Sequence, residues 1–539
     1  MKKTILISII ASATLFGATV NELNTDQVNK VLNNAQITGA NVNQGQVAVS
    51  GSTTSVVSYQ HGDSTADGAN TNTIDGTNIN GNDEEPTIQI DQGGLTVSNG
   101  ADVSNSEDHS SSTIKDGTIT SSSTGSVTVK QADIEINGGT YSNMDIHSTN
   151  NITDARISAS GEGNSTLVTQ ATLKVSDANV SDSADATNVD LTSTNTIKGG
   201  GEISNSTVKQ SDTSITGSNT IVSGLDVTQS NIIDTAGSIN NSTVTQATTS
   251  VSDSTLTNFT EDINNTMTDI SADNAVLKQN DIVIKNGSNV NELTNNTYGD
   301  HRNTMNAITA TDGANLTQDT ITIDGATIDT MSSTQENYMN DMTVHGTYNV
   351  KQSDISISNA NVNSHFDVKY HNEMISVDMI GSGNVSQGTL TIGESNATGT
   401  TEADAIDIQA TNTLKNTDLD NSDVTQSSTS ILAQSSISGF SLDQTNTIEN
   451  TDGSADNNMT GATISQAETS ISASTVDGFT QTVTNNIKDV TVDSSYVYQA
   501  KVNIANSDVD SLTMSETNTL NSSSLSGGAT LAQGGVDIQ

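Results

Sequence analysis

A glutamine that follows an aliphatic residue by two positions returns along this chain at a nearly fixed interval, and that repeat restricts the fold more than any other feature. It stands at Gln131 after Val129, Gln210 after Val208, Gln246 after Val244, Gln352 after Val350, Gln426 after Val424, Gln466 after Ile464 and Gln499 after Val497. The same register contains Gln92, Gln170, Gln279, Gln318, Gln387 and Gln533. Intervals run from 33 to 40 residues with a mean near 37, which makes about 13 repeats, and a less regular first unit surrounds Gln44. Each repeat has a second half marked by an Asn ahead of an aliphatic residue, as in Asn151-Ile152, Asn446-Thr447-Ile448, Asn486-Ile487 and Asn518-Thr519-Leu520.

Within both halves apolar and polar residues alternate, as in Thr207-Val208-Lys209-Gln210, which is the period of a strand. Ser, Asn, Gly and Asp punctuate the alternation as turn residues do. Short strands at a long fixed period predict an all-β fold, a parallel β-solenoid in which each coil pairs with the next. Equivalent residues then lie above one another. Two readings of the Gln series follow: inward amide ladders, each side chain bonding the one above and below, or exposed strand residues kept by repeat duplication. With coils about 4.8 Å apart, 13 single-coil repeats give a rod on the order of 60 Å, and twice that if each half is its own coil. The near-absence of proline fits stacked strands, because proline has no N–H for the ladder; Pro86 falls in a turn before the regular series.

Charge and composition narrow the function classes. Asp and Glu number 63 against 17 Lys and Arg, a net charge of −46. That excess excludes nucleic acid as a partner, since binding there depends on cations displacing phosphate counterions. The absence of cysteine excludes a disulfide scaffold and a thiolate zinc site. Met1-Lys2-Lys3 followed by an apolar stretch and small residues up to Ala18 reads as a secretory signal peptide over 1–18, too short in its apolar run for a membrane span. Residues 19–43 form an N-terminal segment in which Leu23, Val28, Val31 and Leu32 predict a short helix. The solenoid then covers 44–539, with no membrane span in the mature chain.

Asn205-Ser206-Thr207-Val208-Lys209-Gln210, Asn421-Ser422-Asp423-Val424-Thr425-Gln426 and Gly125-Ser126-Val127-Thr128-Val129-Lys130-Gln131 resemble curlin repeats. The two-part unit is also similar in length to repeats of the pseudomonad Fap fibres. Both families are bacterial extracellular functional amyloids. The resemblance implies a secreted, self-stacking subunit at the surface of a Gram-negative bacterium, with outer-membrane export and nucleation proteins as partners. The chain departs from curlin units five positions after the Gln, where they carry Asn and this chain has Ile215, Ile431 or Ile471.

No enzyme, cofactor or metal site is expected from the motifs. Diffuse screening by calcium or another divalent ion suits the Asp-rich turns better than a defined site. The least regular stretch, 289–385, gathers Tyr298, His301, Arg302, Tyr338, Tyr348, His365, Tyr370 and His371. His365 and His371 fall on one face of a strand. This zone is the candidate for partner or glycan contact, with Tyr298, His301, Tyr348, His365, Tyr370 and His371 as its contact residues. Three functions remain: a fibre or biofilm-matrix subunit that polymerises head to tail, for which a last repeat stopping soon after Gln533 offers an unfinished coil; an adhesin displaying 289–385 on a solenoid stalk and meeting surface glycans; and a carbohydrate-active β-helix. On the first, assembly should accelerate at low pH, high salt or with divalent ions, because each weakens repulsion among stacked carboxylates. Turbidity or light-scattering time courses insensitive to all three would contradict that.

Overall fold

The alternation of aliphatic with Ser, Thr, Asn and Asp residues becomes strand in every repeat of the computed structural model. It describes residues 13–16, 19–20, 23–25, 28–32, 35–38, 42–50, 55–56, 59–61, 70–82, 87–158, 165–181, 189–199, 203–234, 238–297, 302–394, 400–451 and 458–539. Among these there is no helix. The chain divides into two compact units, 1–265 and 266–539. Each is a parallel β-solenoid, as the repeat predicts.

In the first unit, one repeat is one coil. Ile88–Ser98 pairs in parallel with Val127–Ile136, Gln92 lying beside Gln131. Thr166–Ser181 continues the same sheet, followed by Ser206–Thr216 and Thr243–Ser252. The second half of each coil builds a facing sheet, through Asp102–Lys115, Thr140–Thr153 and Val189–Lys198. Short strands Gln36–Thr38, Asn78–Asn80, Thr118–Thr120 and Arg156–Ser158 stack on a third side. The coil turns from the first sheet to the second at Gly138-Gly139. Gly139 has φ +104°, and a Cβ there would lie 2.0 Å from the Ala101 carbonyl oxygen in the coil below, so only glycine fits.

The second unit repeats this plan. Val276–Lys285, Ala314–Asp324 and the Asn349–Ser358 part of Thr327–Ser358 stack as one sheet. Asp418–Ile431, Thr463–Ser472 and Tyr496–Ala505 carry on the same Gln register. The zone 289–385 remains within the coils among the described residues. Its irregularity is a set of register shifts, between Ile328 and Thr330, Val362 and Phe366, and Ile380 and Gly383. A bulge adds or drops a residue without breaking the stack.

The core is thin and mostly aliphatic, lined by columns such as Val129, Val168, Val208 and Val244. Phe440 and Phe479 stack with centroids 4.9 Å apart and planes 9° from parallel, as in-register aromatics must.

The helix expected over Leu23–Leu32 is not formed. Leu23–Thr25 and Val28–Val31 are strands, paired with Tyr59–His61 and with Thr71–Ile74. Asn29 and Val31 are buried and Lys30 is exposed, a period of two. The Asn29 amide donates to Asn72 Oδ1 at 3.0 Å, a bond that a helix would forgo. Of the expected signal peptide, 1–12 and 17–18 lie outside the described residues; Ala13–Phe16 pairs with Val47–Ser50. Pro86, Tyr298 and His301 also lie outside them.

Candidate functional site

The predicted Gln series converges on one line inside each unit. In the first, Gln44, Gln92, Gln131, Gln170, Gln210 and Gln246 are buried. From Gln92 on, each Nε2 donates to the Oε1 one coil earlier, at 2.9 Å for Gln92 to Gln44, 3.0 Å for Gln131, 3.2 Å for Gln170, 3.1 Å for Gln210 and 3.0 Å for Gln246. In the second, Gln318 donates to Gln279 at 2.6 Å and Gln352 to Gln318 at 2.8 Å. Gln387, Gln426, Gln466, Gln499 and Gln533 extend that line with bonds of 2.6–2.9 Å. Gln533 alone of these is exposed.

The Asn half forms a second ladder on the facing sheet. Asn150, Asn195, Asn231 and Asn265 bond in sequence at 2.8–2.9 Å. Asn303, Asn337, Asn372, Asn412, Asn446, Asn485 and Asn518 do so in the second unit at 2.8–3.0 Å. The buried rungs are Asn150 and Asn485, one residue before the Asn151 and Asn486 marked in the sequence. A shift of one residue turns a strand side chain to the opposite face.

The ladders are tied across the core. Gln210 Nε2 also reaches the Asn195 carbonyl at 3.0 Å, Gln246 the Asn231 carbonyl at 2.9 Å, and Gln318 the Asn303 carbonyl at 3.0 Å. A carbonyl only accepts, so these contacts orient the amide. Gln amides donate toward the earlier coil and Asn amides toward the later one. The two rows of dipoles therefore oppose each other within each unit.

One element of this site is absent from the sequence reading: the residue after each Gln is small. It is Gly45, Gly93, Ala132, Ala171, Ser211, Ala247, Asn280, Asp319, Ser353, Gly388, Ser427, Ala467, Ala500 or Gly534. At Gly45, Gly93, Ala132, Asp319, Ser353, Gly388, Ser427, Ala467, Ala500 and Gly534, φ lies between +44° and +70°. The bulge turns two consecutive side chains inward, giving the burial sequence of Asp418–Ile431 two adjacent buried residues, Gln426 and Ser427. Ser211 Oγ lies 2.9 Å from both Asn195 Nδ2 and Asn231 Oδ1, and Ser427 Oγ 2.7 Å from Asn412 Nδ2.

The outer face of the Gln sheet has a two-coil period from Lys130 to Thr248 in the first unit and from Lys278 to Thr389 in the second. Lys130 and Asp133 form an ion pair at 2.8 Å, Lys209 and Asp212 at 2.7 Å, Lys278 and Asp281 at 3.4 Å, and Lys351 and Asp354 at 2.6 Å. The next coil after each carries hydroxyls at both places: Thr169 and Thr172, Thr245 and Thr248, Thr317 and Thr320, Ser386 and Thr389. Thr172, Thr320 and Thr389 donate to Asp133, Asp281 and Asp354. Burial pushes Asp133 upward, but the bonds from Lys130 and Thr172 outweigh it and hold its carboxyl below the usual range. The opposite arrangement appears on the Asn sheet, where Asp145, Asp190 and Asp226 stack directly. Partial burial, then Asp226 and Asp145, push the Asp190 carboxyl up.

The partner zone is divided by the structure. Tyr348 and Tyr370 are 3% and 5% exposed, which corrects their assignment as contact residues. Each fills space left by a glycine: a Cβ on Gly383, one coil later, would meet the Tyr348 ring at 2.2 Å, and one on Gly388, across the core on the Gln sheet, would meet the Tyr370 ring at 2.5 Å. Tyr348 bonds Ser422 through its hydroxyl, and burial raises the Tyr370 phenol far above its ordinary range. His365 and His371 do face outward on one strand face, beside Asp367 and Glu373 at 3.9 Å each. His371 lies 5.8 Å from the Tyr338 ring, over which Arg302 sits at 5.7 Å. Among the described residues no three His, Cys, Asp or Glu groups gather as a metal site, and no helix is long and apolar enough to cross a membrane.

No protein-family model, no curated protein and no solved structure matches the chain.

The ladder makes a pair of opposite predictions. Gln352→Leu should lower the melting temperature, because Gln318 Oε1 and Gln387 Nε2 lose their rung, at about 1–3 kcal/mol for each buried group left unpaired. Ser112 occupies an Asn rung between Asn72 and Asn150, and the amide nitrogen of Asn72 and oxygen of Asn150 are buried without partners. Ser112→Asn should bridge them opposite Gly93 and raise stability by about 1 kcal/mol. Thermal melting followed by circular dichroism checks both.

Proposed function

We propose that the protein is a secreted structural subunit that stacks on further copies of itself into an extracellular fibre or matrix. The observation that supports this most directly is the identity of the rungs. Within each unit the same Gln, Asn and aliphatic positions pair from coil to coil. The upper edge of one coil is therefore complementary to the lower edge of any other, and pairing needs no second kind of surface. The basic and apolar start of the chain supports export, and the curlin resemblance supports an extracellular fibre. Electron microscopy and seeding test the reading. Filaments that form after a lag, and whose lag shortens with preformed fragments, are the expected result. Protein that stays at monomer mass for days, with or without fragments, defeats the proposal.

The outward group of Arg302, Tyr338 and His371 favours a second reading, an adhesin whose coils display a contact patch. Its aromatic faces and guanidinium contrast with the Ser, Thr and Asn that cover most of the surface. On this reading, replacing Arg302 and Tyr338 by Ala abolishes attachment to glycan arrays while leaving the strand signal in circular dichroism unchanged. Equal attachment by the variant removes the second reading.

A further inference from the structure

The alternation of charged and hydroxyl rungs on the Gln sheet fails at one place in the first unit. One coil before Lys130 and Asp133 stand Asp91 and Gly94, and one coil before those stand Asn43 and Gln46. The hydroxyl that bridges coils elsewhere is replaced by glycine, because a Cβ on Gly94 would approach the Asp133 carbonyl oxygen to 3.0 Å. The result is a polar cleft of about 250 Å³ lined by Gln46, Asp91, Gly94, Lys130, Asp133 and Glu135.

Asp91 is only 8% exposed. Its Oδ2 accepts a hydrogen bond from Gln89 Nε2 at 2.8 Å, whereas its Oδ1 is buried with no partner. Asn43, the residue paired with Asp91 in the neighbouring strand, also has a buried Oδ1 without a partner. Two oxygens on adjacent rungs can accept and neither meets a donor, a costly arrangement unless something positive lies between. The ammonium lining the cleft bonds another carboxylate: Lys130 pairs with Asp133 at 2.8 Å and reaches Asp91 only through the longer-range attraction of its charge. With Glu135 added, the cleft has three carboxylates against one ammonium. Burial raises the Asp91 carboxyl above its ordinary range, as expected of an anion with too little compensation.

We propose that this cleft binds one hard divalent cation of calcium type, through Asp91 and the amide oxygen of Gln46, which line it together. Calcium takes amide and carbonyl oxygens, carboxylates and water together in flexible geometry, so a single buried carboxylate with side-chain amides beside it suits this ion better than a softer metal. Such a site differs from the screening expected of a chain of charge −46, because it is stoichiometric and attached to one residue.

The test is calorimetric titration of the full chain with calcium chloride in about 0.15 M salt, where exposed charges are screened beyond about 8 Å. The expected isotherm has one saturable site above a shallow background. Asp91→Asn, which removes a buried charge and keeps the shape, should retain the background and lose that site. Gln46→Ala should weaken it about tenfold or more. Calcium should raise the melting temperature of the parent chain more than that of Asp91→Asn. The proposal is overturned if Asp91→Asn keeps the saturable site, or if the parent chain shows background alone; in the latter case a water or a proton satisfies Asp91.

Discussion

In-register parallel stacking places every residue about 4.8 Å from its counterpart in the next coil, and the remaining features of each unit answer to that spacing. Aliphatic residues gain from it without further condition, since a Val column excludes water along its whole length. Neutral amides gain more, because a primary amide is its own complement and can donate on one side while accepting on the other. Ionised side chains lose, since like charges directly opposite are destabilising in a sheet. The distribution of residue types follows this order in the main, aliphatics and amides inside and charges outside and separated, with Glu261, Asp319 and Asp91 among the buried exceptions.

The charge separation can be expressed in distance. Lys130 and Lys209, or Asp281 and Asp354, are two coils apart with Thr between them, so like charges stand about 10 Å apart, near the Debye length at physiological salt. Unlike charges are instead brought to 2.6–3.4 Å within one coil. The column of Asp145, Asp190 and Asp226 violates the pattern, and it does so on an outer face where water screens the repulsion. Inside the core no such relief exists. There the break at Ser112 leaves two amide groups without partners, and each adjoining rung carries the consequence.

Much of this was legible in the sequence because stacking copies the repeat. The Gln interval gave the coil, and alternation gave the strands. What could not be read depended on comparing positions across more than one interval. The exchange of Lys for Thr before successive Gln residues is invisible when each repeat is compared with a consensus, and plain when it is compared with the next but one. The sequence places Tyr348 and Tyr370 on a contact surface because they fall in its least regular stretch, 289–385. Their burial depends on Gly383 in the next coil and Gly388 across the core, whose fit is apparent only once the coils are assembled. The spacing of Leu23, Val28, Val31 and Leu32 suits a helix face, but Asn29 completes an amide rung with Asn72, and that long-range bond outranks local periodicity.

The small residue after each Gln connects these observations. Left-handed backbone costs a non-glycine residue about 1–2 kcal/mol, yet Ala132, Ser353, Ser427, Ala467 and Ala500 all adopt it. The bulge is what turns both the Gln and its successor inward, so that the amide crosses the narrow core to the Asn-strand carbonyl while the successor lies opposite an Asn. At the first rung no side chain fits: a Cβ on Gly45 would come within 2.7 Å of Asn72 Oδ1. The strain at each bulge is local, whereas the bonds it permits are shared by neighbouring coils, which is why the same costly conformation recurs repeat after repeat.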